Sequence, residues 1–440
     1  MHTIDFGRDF NLTLKEISKI EGAASLDIAV RNNKVVDLKF GISEWKRFYT
    51  QAIRGKNAMA IPQLVARICG TCSNAHLLAS TKAIENAFSV TVTAQTMLLR
   101  KLLYYGLIIR DHGLHLYVFS LPDLFGKDSI LDFDEHDELE HELLHDTFAV
   151  KEVGNQLSIA VGGRSVHAPY PTVGGFLKYP SLDDLKKVRV KLEEIRPRVI
   201  NLIRIFASAP FSFSFSRSLI YNALLSSDFS FLYGNVYTSD GKVFTEEELG
   251  AHLKAVIIPY SQARGFTFDG NFMMVGALSR LNMAKEHLHE RTKKDGSLGT
   301  AFFPSKNLFH NNLAQAVEML HAVDSACDII DGLTHVEPEP IARIKPRAGV
   351  GIGVIEAPRG TLYYMLTLTE DGTVKKGEII VPTGQNQVLM ERAIFEYTQK
   401  KLDMGAQKQE LVDHIEELIR AFDPCMSCAA HFLKVRWMKA

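Results

Sequence analysis

Two Cys-x-x-Cys pairs, one near each end of the chain, constrain the fold more than any other feature of the sequence. The first lies in residues 67–72 (RICGTC) and the second in residues 423–431 (DPCMSCAAH). Together they hold four of the five cysteines, and Cys327 stands alone between them. Only a fold that returns the end of the chain to its beginning can bring the pairs together. Four converging thiolates suit a soft or borderline metal such as Zn, Ni or Cu(I), or an iron–sulfur cluster.

The spacing within each pair is that of a structural zinc site, so a Zn(Cys)4 centre that ties the two ends together is one alternative. The flanking residues favour a different kind of metal site. Arg67 places a cation two residues before the first pair, and Asp423 places a carboxylate two residues before the second. Pro424 fixes the backbone ahead of Cys425, and His431 follows three residues after the last cysteine.

The composition excludes several classes of protein. Hydrophobic residues make up 46% and charged residues 23% of the chain, as in an ordinary globular protein with a large core. A net charge of −1 argues against binding to nucleic acid or to an anionic membrane surface. No apolar run approaches the roughly 18 residues of a membrane span, and the first residues lack a signal-peptide pattern. The cysteines do not form a disulfide framework, so we expect a cytoplasmic protein.

The hydrophobic patterns predict a mainly α protein with small β elements, an α+β fold built as a single domain over residues 1–440. Alternating residues over 24–41 predict a β-hairpin, and Asp371-Gly372 predicts a tight turn between strands over 363–381. Ser181 opens a capping box for a helix that we expect to stop near Pro197. Residues 205–310 carry little pattern and predict a peripheral lobe. Further helices are predicted over 57–88, 93–121, 311–333, 386–401 and 406–421.

The R-x-C-G-x-C and D-P-C-x-x-C-x-x-H motifs resemble those of the large, catalytic subunit of nickel–iron hydrogenases. The resemblance covers essentially the whole chain and is closest in style to the cytoplasmic coenzyme-linked and F420-non-reducing hydrogenases. It implies a large helical-bundle core with an N-terminal β-hairpin and a C-terminal β segment. Further stretches that resemble the family are KIEG at 19–22, RDHGLHLY at 110–117, the glycine-containing loop 162–176, EAPRG at 356–360 and VPTGQN at 381–386.

The resemblance implies an oxidoreductase that cleaves H2 reversibly at a Ni-Fe(CO)(CN)2 centre. Cys69 and Cys425 would bind nickel as terminal ligands, whereas Cys72 and Cys428 would bridge nickel to iron. The iron would carry the carbon monoxide and cyanide ligands, which no residue of the sequence reveals.

Protein groups around the metals are implied in the same way. Glu21 would receive the proton that the Cys425 thiolate takes from H2. Arg359 would lie over the open face of the centre, where Asp111 and Asp423 can pair with its permanent charge. The residues implied to support the ligands from behind are Arg67, His76, His112, His115, Pro382 and Thr383.

A third metal, Mg2+ or Fe2+, is implied at a separate site that includes His431. The family usually supplies a glutamate there from an Arg-x-Phe-Glu stretch, but Thr50 occupies that position in this chain. A hydroxyl is a poorer ligand than a carboxylate for a hard cation. Glu44, a few residues earlier, is the alternative ligand that the sequence offers.

Only Cys327 remains outside the two pairs, and one cysteine cannot bind an iron–sulfur chain. Electron transfer therefore requires further electron-transfer subunits together with an iron–sulfur small subunit. The resemblance also implies nickel-insertion proteins and a maturation protease that removes residues 432–440, so that active enzyme ends at His431. Two alternatives use the same fold: an H2 sensor that signals to a kinase partner, and a metal-free scaffold like the one in respiratory complex I. The intact cysteines argue against the scaffold.

The H-E-x-x-H sequence at 141–145 is predicted to be a solvated helix face rather than a metalloprotease site, because it lies in an acidic run without a third ligand at a useful spacing. We therefore expect His141→Ala combined with His145→Ala to leave the metal content and the H2 oxidation rate unchanged. Metal analysis and H2-dependent dye reduction on the purified double variant measure both quantities. Loss of a bound zinc ion, or of activity, would contradict the interpretation.

Overall fold

The computed structural model describes residues 9–431, and the tail 432–440 that we predict to be removed lies outside the described residues. Helices account for most of the regular structure. They are α1 (Tyr49–Ala52), α2 (Ile61–Val65), α3 (Ser73–Phe88), α4 (Ala94–Gly113), α5 (Leu121–Leu124), α6 (Glu138–Gly162), α7 (Leu182–Ala207), α8 (Glu246–His252), α9 (Ala277–Ala284), α10 (Glu290–Asp295), α11 (Ser297–Thr300), α12 (His310–Gly332), α13 (Pro382–Asp403), α14 (Lys408–Ala421) and α15 (Met426–Ala429). Across residues 9–431, no helix is both long enough and apolar enough to cross a membrane.

The strands form small, separate sheets. They are β1 (Phe10–Leu14), β2 (Ala24–Arg31), β3 (Lys34–Ile42), β4 (Pro171–Thr172), β5 (Gly175–Phe176), β6 (Leu219–Leu225), β7 (Asn235–Thr238), β8 (Val243–Phe244), β9 (Leu253–Ile257), β10 (Arg264–Phe268), β11 (Phe272–Met274), β12 (Gly349–Ala357), β13 (Gly360–Leu368) and β14 (Val374–Ile380). The larger sheets have the strand orders β1-β2-β3, β11-β6-β7-β8 and β12-β13-β14. Neighbouring strands are antiparallel except in the pair β11 and β6. The predicted α+β class is confirmed.

Four long helices, α4, α6, α7 and α12, pack against one another at the centre of the molecule. Helix α7 shows why, because its apolar residues recur at helical spacing and are buried, among them Leu185, Val188 and Leu192. Ser181 caps this helix, accepting a hydrogen bond from the backbone N–H of Asp184 as the capping pattern predicted.

The predicted end of this helix near Pro197 is wrong, since α7 continues through the proline to Ala207. A proline inside a helix removes one backbone hydrogen bond and crowds the preceding turn. Here the helix is packed against α6 and α12, and residues beyond the proline such as Val199 and Leu202 are buried. Burial of that second half offsets the local cost of the proline.

The helix predicted over 57–88 is interrupted at the first cysteine pair. The chain leaves a short 3-10 turn at Ala66–Ile68, becomes extended at Cys69 (φ −146°, ψ 139°), and enters α3 only after Cys72. The helix predicted over 93–121 likewise ends as α4 at Gly113 and continues as a π-helical segment, Leu114–Ser120. Both irregularities lie next to residues that the motifs singled out.

The N-terminal hairpin is confirmed as β2 and β3, and its turn residues Asn32 and Asn33 are both left-handed, with φ of 51° and 59°. Asparagine tolerates this conformation, which is why a polar turn of this kind joins two strands tightly. The sequence patterns missed β1, which adds a third strand beside β2.

The C-terminal sheet carries the glycine run 349–353, which lacks the third glycine of a nucleotide-binding loop. These glycines serve packing instead, because β12 lies directly on α3. A Cβ on Gly351 would lie 1.9 Å from the carbonyl oxygen of Ala83, and one on Gly353 would lie 2.4 Å from that of Ala79. Because these glycines have no side chains, β12 can pack closely against α3, the helix that begins beside Cys72.

We expect Gly351→Ala to lower the free energy of unfolding by about 1–3 kcal/mol, because the new methyl group overpacks the contact between β12 and α3. Gly332→Ala is the matched control, since a Cβ at the end of α12 meets no atom within 4 Å. Thermal unfolding followed by circular dichroism measures both variants. Equal melting temperatures for the two variants would show that the strand and the helix do not require this close approach.

Candidate metal and catalytic site

The four predicted ligand cysteines converge in the interior. Their Sγ atoms all lie within 4.8 Å of one another, and each side chain is buried. The closest pairs join one cysteine from each motif: Cys69 to Cys425 at 3.3 Å and Cys72 to Cys428 at 3.1 Å. All four are free thiols rather than disulfides. This donor set fits a thiophilic metal centre.

The protonation of the four thiols depends on one another. Hydrogen bonds from Cys425, Cys428 and Cys72 hold the pKa of Cys69 well below its usual value. Burial raises the pKa of Cys425 and Cys428 well above theirs. Without a metal ion, the arrangement therefore favours ionisation of Cys69 over that of Cys425 and Cys428. A bound dication would displace the remaining protons, so metal binding at this site releases protons.

Glu21 is attached to the second motif through both its backbone and its side chain. The backbone bridges Cys425, where the N–H of Met426 donates to the Glu21 carbonyl oxygen at 2.9 Å. The Cys425 thiol donates to Glu21 Oε2 at 3.0 Å, and the N–H of Ser427 donates to the same oxygen at 3.1 Å. Burial raises the pKa of Glu21, and the nearby Cys69 raises it further. The carboxyl group is thus suited to exchange a proton with Cys425.

Gly22 makes this attachment sterically feasible. Its φ is +80°, and a Cβ there would lie 2.9 Å from both Glu44 Oε2 and the Met426 Cβ. The carboxylate of Glu44 accepts hydrogen bonds from the backbone N–H groups of Ala23 and Trp45. The structure therefore places Glu44 beside the turn that follows Glu21.

Arg359 is buried and paired with two aspartates, as predicted. Its Nη1 donates to Asp111 Oδ2 at 2.8 Å and its Nε donates to Asp423 Oδ1 at 3.1 Å. Nη2 lies 3.0 Å from Asp423 Oδ1 but has no hydrogen-bond partner among the described residues. Burial lowers the pKa of Arg359, but the charges of Asp111 and Asp423, together with those of Cys425 and Cys72, leave it well above its usual value. The guanidinium stays charged, with one group of N–H donors left for a ligand.

The buried cation beside the first motif is Arg110, whereas the sequence predicts Arg67 at that place. The Arg67 side chain is exposed and donates to the carbonyl oxygen of Gln63 at 3.0 Å. Arg110 is buried and donates to the carbonyl oxygen of Thr71, inside the Cys-x-x-Cys loop, at 2.7 Å. Sequence reasoning gave Arg110 no role beyond its place in a motif. Its position just before Asp111 was the available signal.

His76 contacts the sulfur of one of the four converging cysteines. Its Nε2 lies 3.4 Å from Cys428 Sγ, and its Nδ1 lies 2.7 Å from the hydroxyl of Tyr364. Burial lowers the pKa of His76 to about 3, so the ring is neutral. With Tyr364 donating to Nδ1, the proton sits on Nε2 and points at the sulfur. The sequence did not indicate Tyr364, which comes from β13.

His112 and His115 lie behind the aspartates rather than against the thiols. His112 Nε2 lies 2.9 Å from Glu318 Oε2. His115 Nδ1 lies 2.5 Å from Gln315 Oε1, and the Gln315 amide in turn donates to Asp423 Oδ2 at 2.8 Å. Both histidines thus connect the aspartate-bearing elements to α12, which sequence reasoning did not link to the site.

A small cavity adjoins the thiols. The hydroxyl of Thr383 accepts the backbone N–H of Cys425 at 2.9 Å, which leaves its own proton available to a ligand. Pro382 begins α13 and presents its ring at the same wall. The cavity has a volume of about 10 Å3 and is lined by Cys72, His76, Ala357, Pro358, Arg359, Leu362, Pro382, Thr383, Cys425 and Cys428. Its lining is mostly apolar, so it suits small, weakly polar ligands.

His431 is buried between two backbone carbonyl groups. Its Nδ1 makes a short contact with the carbonyl oxygen of Cys428, and its Nε2 lies 3.1 Å from that of Ile379. Burial lowers the pKa of His431. Far from these groups, His141 and His145 are exposed on α6, where their ring centroids lie 4.4 Å apart.

Known proteins resemble this chain in sequence and in fold. A family model described as nickel-dependent hydrogenase matches residues 47–147 and 243–431. The chain is 33% identical to the alpha chain of sulfhydrogenase 2 from Pyrococcus furiosus, over 96% of this chain and 100% of that protein. It is 28% identical to a chain of the F420-non-reducing hydrogenase from Methanothermobacter thermautotrophicus, over 96% of this chain and 94% of that protein. An NAD+-reducing nickel–iron hydrogenase in its H2-reduced state shares the fold, with a TM-score of 0.84 at 24% identity, covering 96% of this chain and 99% of that chain.

Proposed function

This chain belongs to the nickel-dependent hydrogenase family, and on that premise we propose that it cleaves H2 reversibly and heterolytically and passes the electrons to an iron–sulfur small subunit. The single observation that supports the proposal most is the convergence of four buried thiols beside a small, largely apolar cavity. A structural zinc site would need the thiols but neither the cavity nor a buried arginine that faces it.

The described residues fit a nickel–iron centre that carries carbon monoxide and cyanide. Cys69 and Cys425 would hold nickel alone, and Cys72 and Cys428 would be shared with iron. The cavity lies against Cys72, Cys425 and Cys428, and it would offer the Thr383 hydroxyl and Arg359 as donors to the diatomic ligands. When bound, the centre supplies the Lewis-acid and redox chemistry that H2 cleavage requires.

The proton released from H2 would leave through Cys425 and Glu21. The Cys425 thiolate is the base, and its Sγ lies within hydrogen-bond distance of the Glu21 carboxylate. Burial raises the pKa of Glu21 and so narrows the difference in acidity between its carboxyl group and the Cys425 thiol. The carboxyl group would therefore take up the proton from the thiol and release it again at a smaller cost. Glu21 is half-buried, so it connects the dry interior to the solvent side.

Arg359 would aim a fixed positive charge at the cavity. Asp111 and Asp423 orient the guanidinium, so that the charge costs no reorganisation when negative charge develops beside it. The Nη2 group has no hydrogen-bond partner among the described residues, so it is the donor available to a ligand in the cavity.

The electrons must leave through a partner, because four of the five cysteines serve the metal centre. The fifth, Cys327, is buried in α12, and burial raises the pKa of its thiol to about 12. Further electron-transfer subunits, together with an iron–sulfur small subunit, would therefore carry the clusters. Nickel-insertion proteins and a maturation protease would complete the active form.

A third metal, Mg2+ or Fe2+, would bind at His431. A neutral imidazole has one N–H, yet both ring nitrogens of His431 face carbonyl oxygens. With Nδ1 donating to Cys428, Nε2 and the oxygen of Ile379 present two lone pairs to each other, and a cation between them would relieve the repulsion. Glu44 accepts one backbone hydrogen bond at each carboxylate oxygen, which leaves lone pairs free, so it stays the candidate for a further ligand.

The proposal predicts about one nickel and about one iron at the thiol site of each mature chain. Elemental analysis of the purified protein measures the stoichiometry, and infrared bands of metal-bound carbon monoxide and cyanide identify the binuclear centre. Cys69→Ser should abolish the nickel, whereas Cys327→Ser, a matched change at a buried cysteine outside the site, should not. Stoichiometric zinc without nickel would contradict the proposal.

Glu21→Gln should keep both metals but lower H2 oxidation and H/D exchange by about 100-fold or more, because an amide cannot accept the proton from Cys425. The control is Glu417→Gln, another partly buried carboxyl group whose pKa is raised by burial but whose partner is His414. Nickel content and H/D exchange are measured on both variants. Full exchange activity in Glu21→Gln would show that the proton takes another path.

A further inference from the structure

Arg280 is a buried arginine that neither the motifs nor the proposed chemistry uses. It lies on α9 and is 1% exposed. Its Nε and Nη2 donate to the two carboxylate oxygens of Glu318 at 2.6 and 2.7 Å. Its Nη1 donates to Glu356 Oε2 at 2.8 Å. A guanidinium has five N–H donors, and the remaining two go to backbone carbonyl oxygens.

Those two carbonyl groups belong to the residues directly before Arg359. Nη1 donates to the oxygen of Ala357 at 3.1 Å, and Nη2 donates to the oxygen of Pro358 at 3.0 Å. Glu356 is fixed in turn by the backbone N–H of Leu224 and the hydroxyl of Thr361, at 2.8 and 2.7 Å. The ion cluster of Arg280, Glu318 and Glu356 therefore holds the turn that carries Arg359.

The same cluster reaches Arg359 by a second route. Glu318 contacts His112, and His112 follows Asp111, the aspartate that pairs with the Arg359 side chain. Arg280 thus contacts the backbone of the turn directly. Through Glu318 and His112 it also reaches the helix that carries Asp111, the partner of the Arg359 side chain. Both routes end at the same guanidinium.

Stability alone does not account for such a cluster. Removing one cation and two carboxylates from water is costly, and buried ion pairs are often no more stable than apolar residues of the same size. A rigid fork that satisfies five acceptors, however, fixes orientation better than apolar packing does. The cluster lies immediately behind a residue whose orientation the cavity depends on.

We propose that Arg280 is the positioning residue for Arg359: it holds the 357–359 turn so that the Arg359 guanidinium faces the cavity beside the thiols. The inference rests on the role proposed above for Arg359. It assigns to α9, outside all of the motifs, a part in the reaction. A shift of about 1 Å in a group that faces the reacting atoms can cost roughly 100-fold in rate.

The test variant is Arg280→Lys, which keeps the charge but supplies three donors instead of five. The matched control is Arg196→Lys. Arg196 is also a buried arginine bonded to a carboxylate of α12, with Nε 2.6 Å from Asp324 Oδ1, but its cluster of Asp295 and Asp324 lies away from the Arg359 turn. Should Arg280→Lys fail to accumulate, Glu318→Gln removes the charge of its bidentate partner instead.

The first readout needs no metal. Hydrogen–deuterium exchange in the metal-free protein should be about tenfold faster or more across residues 356–362 in Arg280→Lys than in the parent. Arg196→Lys should leave that segment unchanged. Equal exchange in the parent and Arg280→Lys would overturn the proposal, because the turn would then not depend on Arg280.

The second readout is a double-mutant cycle in the loaded enzyme. H2 oxidation per nickel should fall about 10- to 100-fold in Arg280→Lys and stay near the parent value in Arg196→Lys. If Arg280 acts through Arg359, adding Arg280→Lys to Arg359→Lys should cost little more than Arg359→Lys alone. Losses that multiply, or an equal loss in Arg196→Lys, would refute positioning. Full activity of Arg359→Lys alone would instead refute the proposed role of Arg359, while the exchange data would still report on the turn.

Discussion

The structure depends on enclosing four thiol groups from the two ends of the chain within one dry space. Four sulfur atoms within 4.8 Å cannot all be ionised in a low-dielectric interior without a cation, so the site is electrostatically incomplete until metal binds. The protein holds the sulfurs in place by backbone contacts rather than by the thiols themselves. The bridge between Glu21 and Cys425 holds one motif, and the contact of α3 with β12 holds the other.

Around the thiols, buried arginines and carboxylates form two ion clusters, one behind the other. Arg359 is the innermost cation and is flanked by Asp111 and Asp423. Behind it, Arg280 is flanked by Glu318 and Glu356. A cation paired with two carboxylates in the interior cannot move without breaking several charge-assisted hydrogen bonds, so each cluster limits the freedom of the next.

In the proposed reaction the two products would leave by different means. Protons would pass through Glu21, which is only half-buried and is bonded to the second motif. Electrons would need redox centres outside this chain, since four of its five cysteines would hold the metals. Such a division of tasks is consistent with the names of the hydrogenase relatives, which describe single chains of larger enzymes.

The sequence by itself determined the candidate ligands, the family and most of the regular elements, because these depend on local information. Cysteine spacing, the alternation over 24–41 and the caps of the helices are readable within a few residues, and the resemblance placed Glu21, Arg359 and their partners in register. The tertiary structure alone decided which charge is buried beside each motif. It exposes Arg67 and buries Arg110, it brings Tyr364 to His76, and it sets Arg280 behind Arg359. It also carries α7 through Pro197 and uses the glycines of β12 for packing. These contacts form between segments that are distant in the sequence. The free energy of burial that determines them cannot be read from any local pattern.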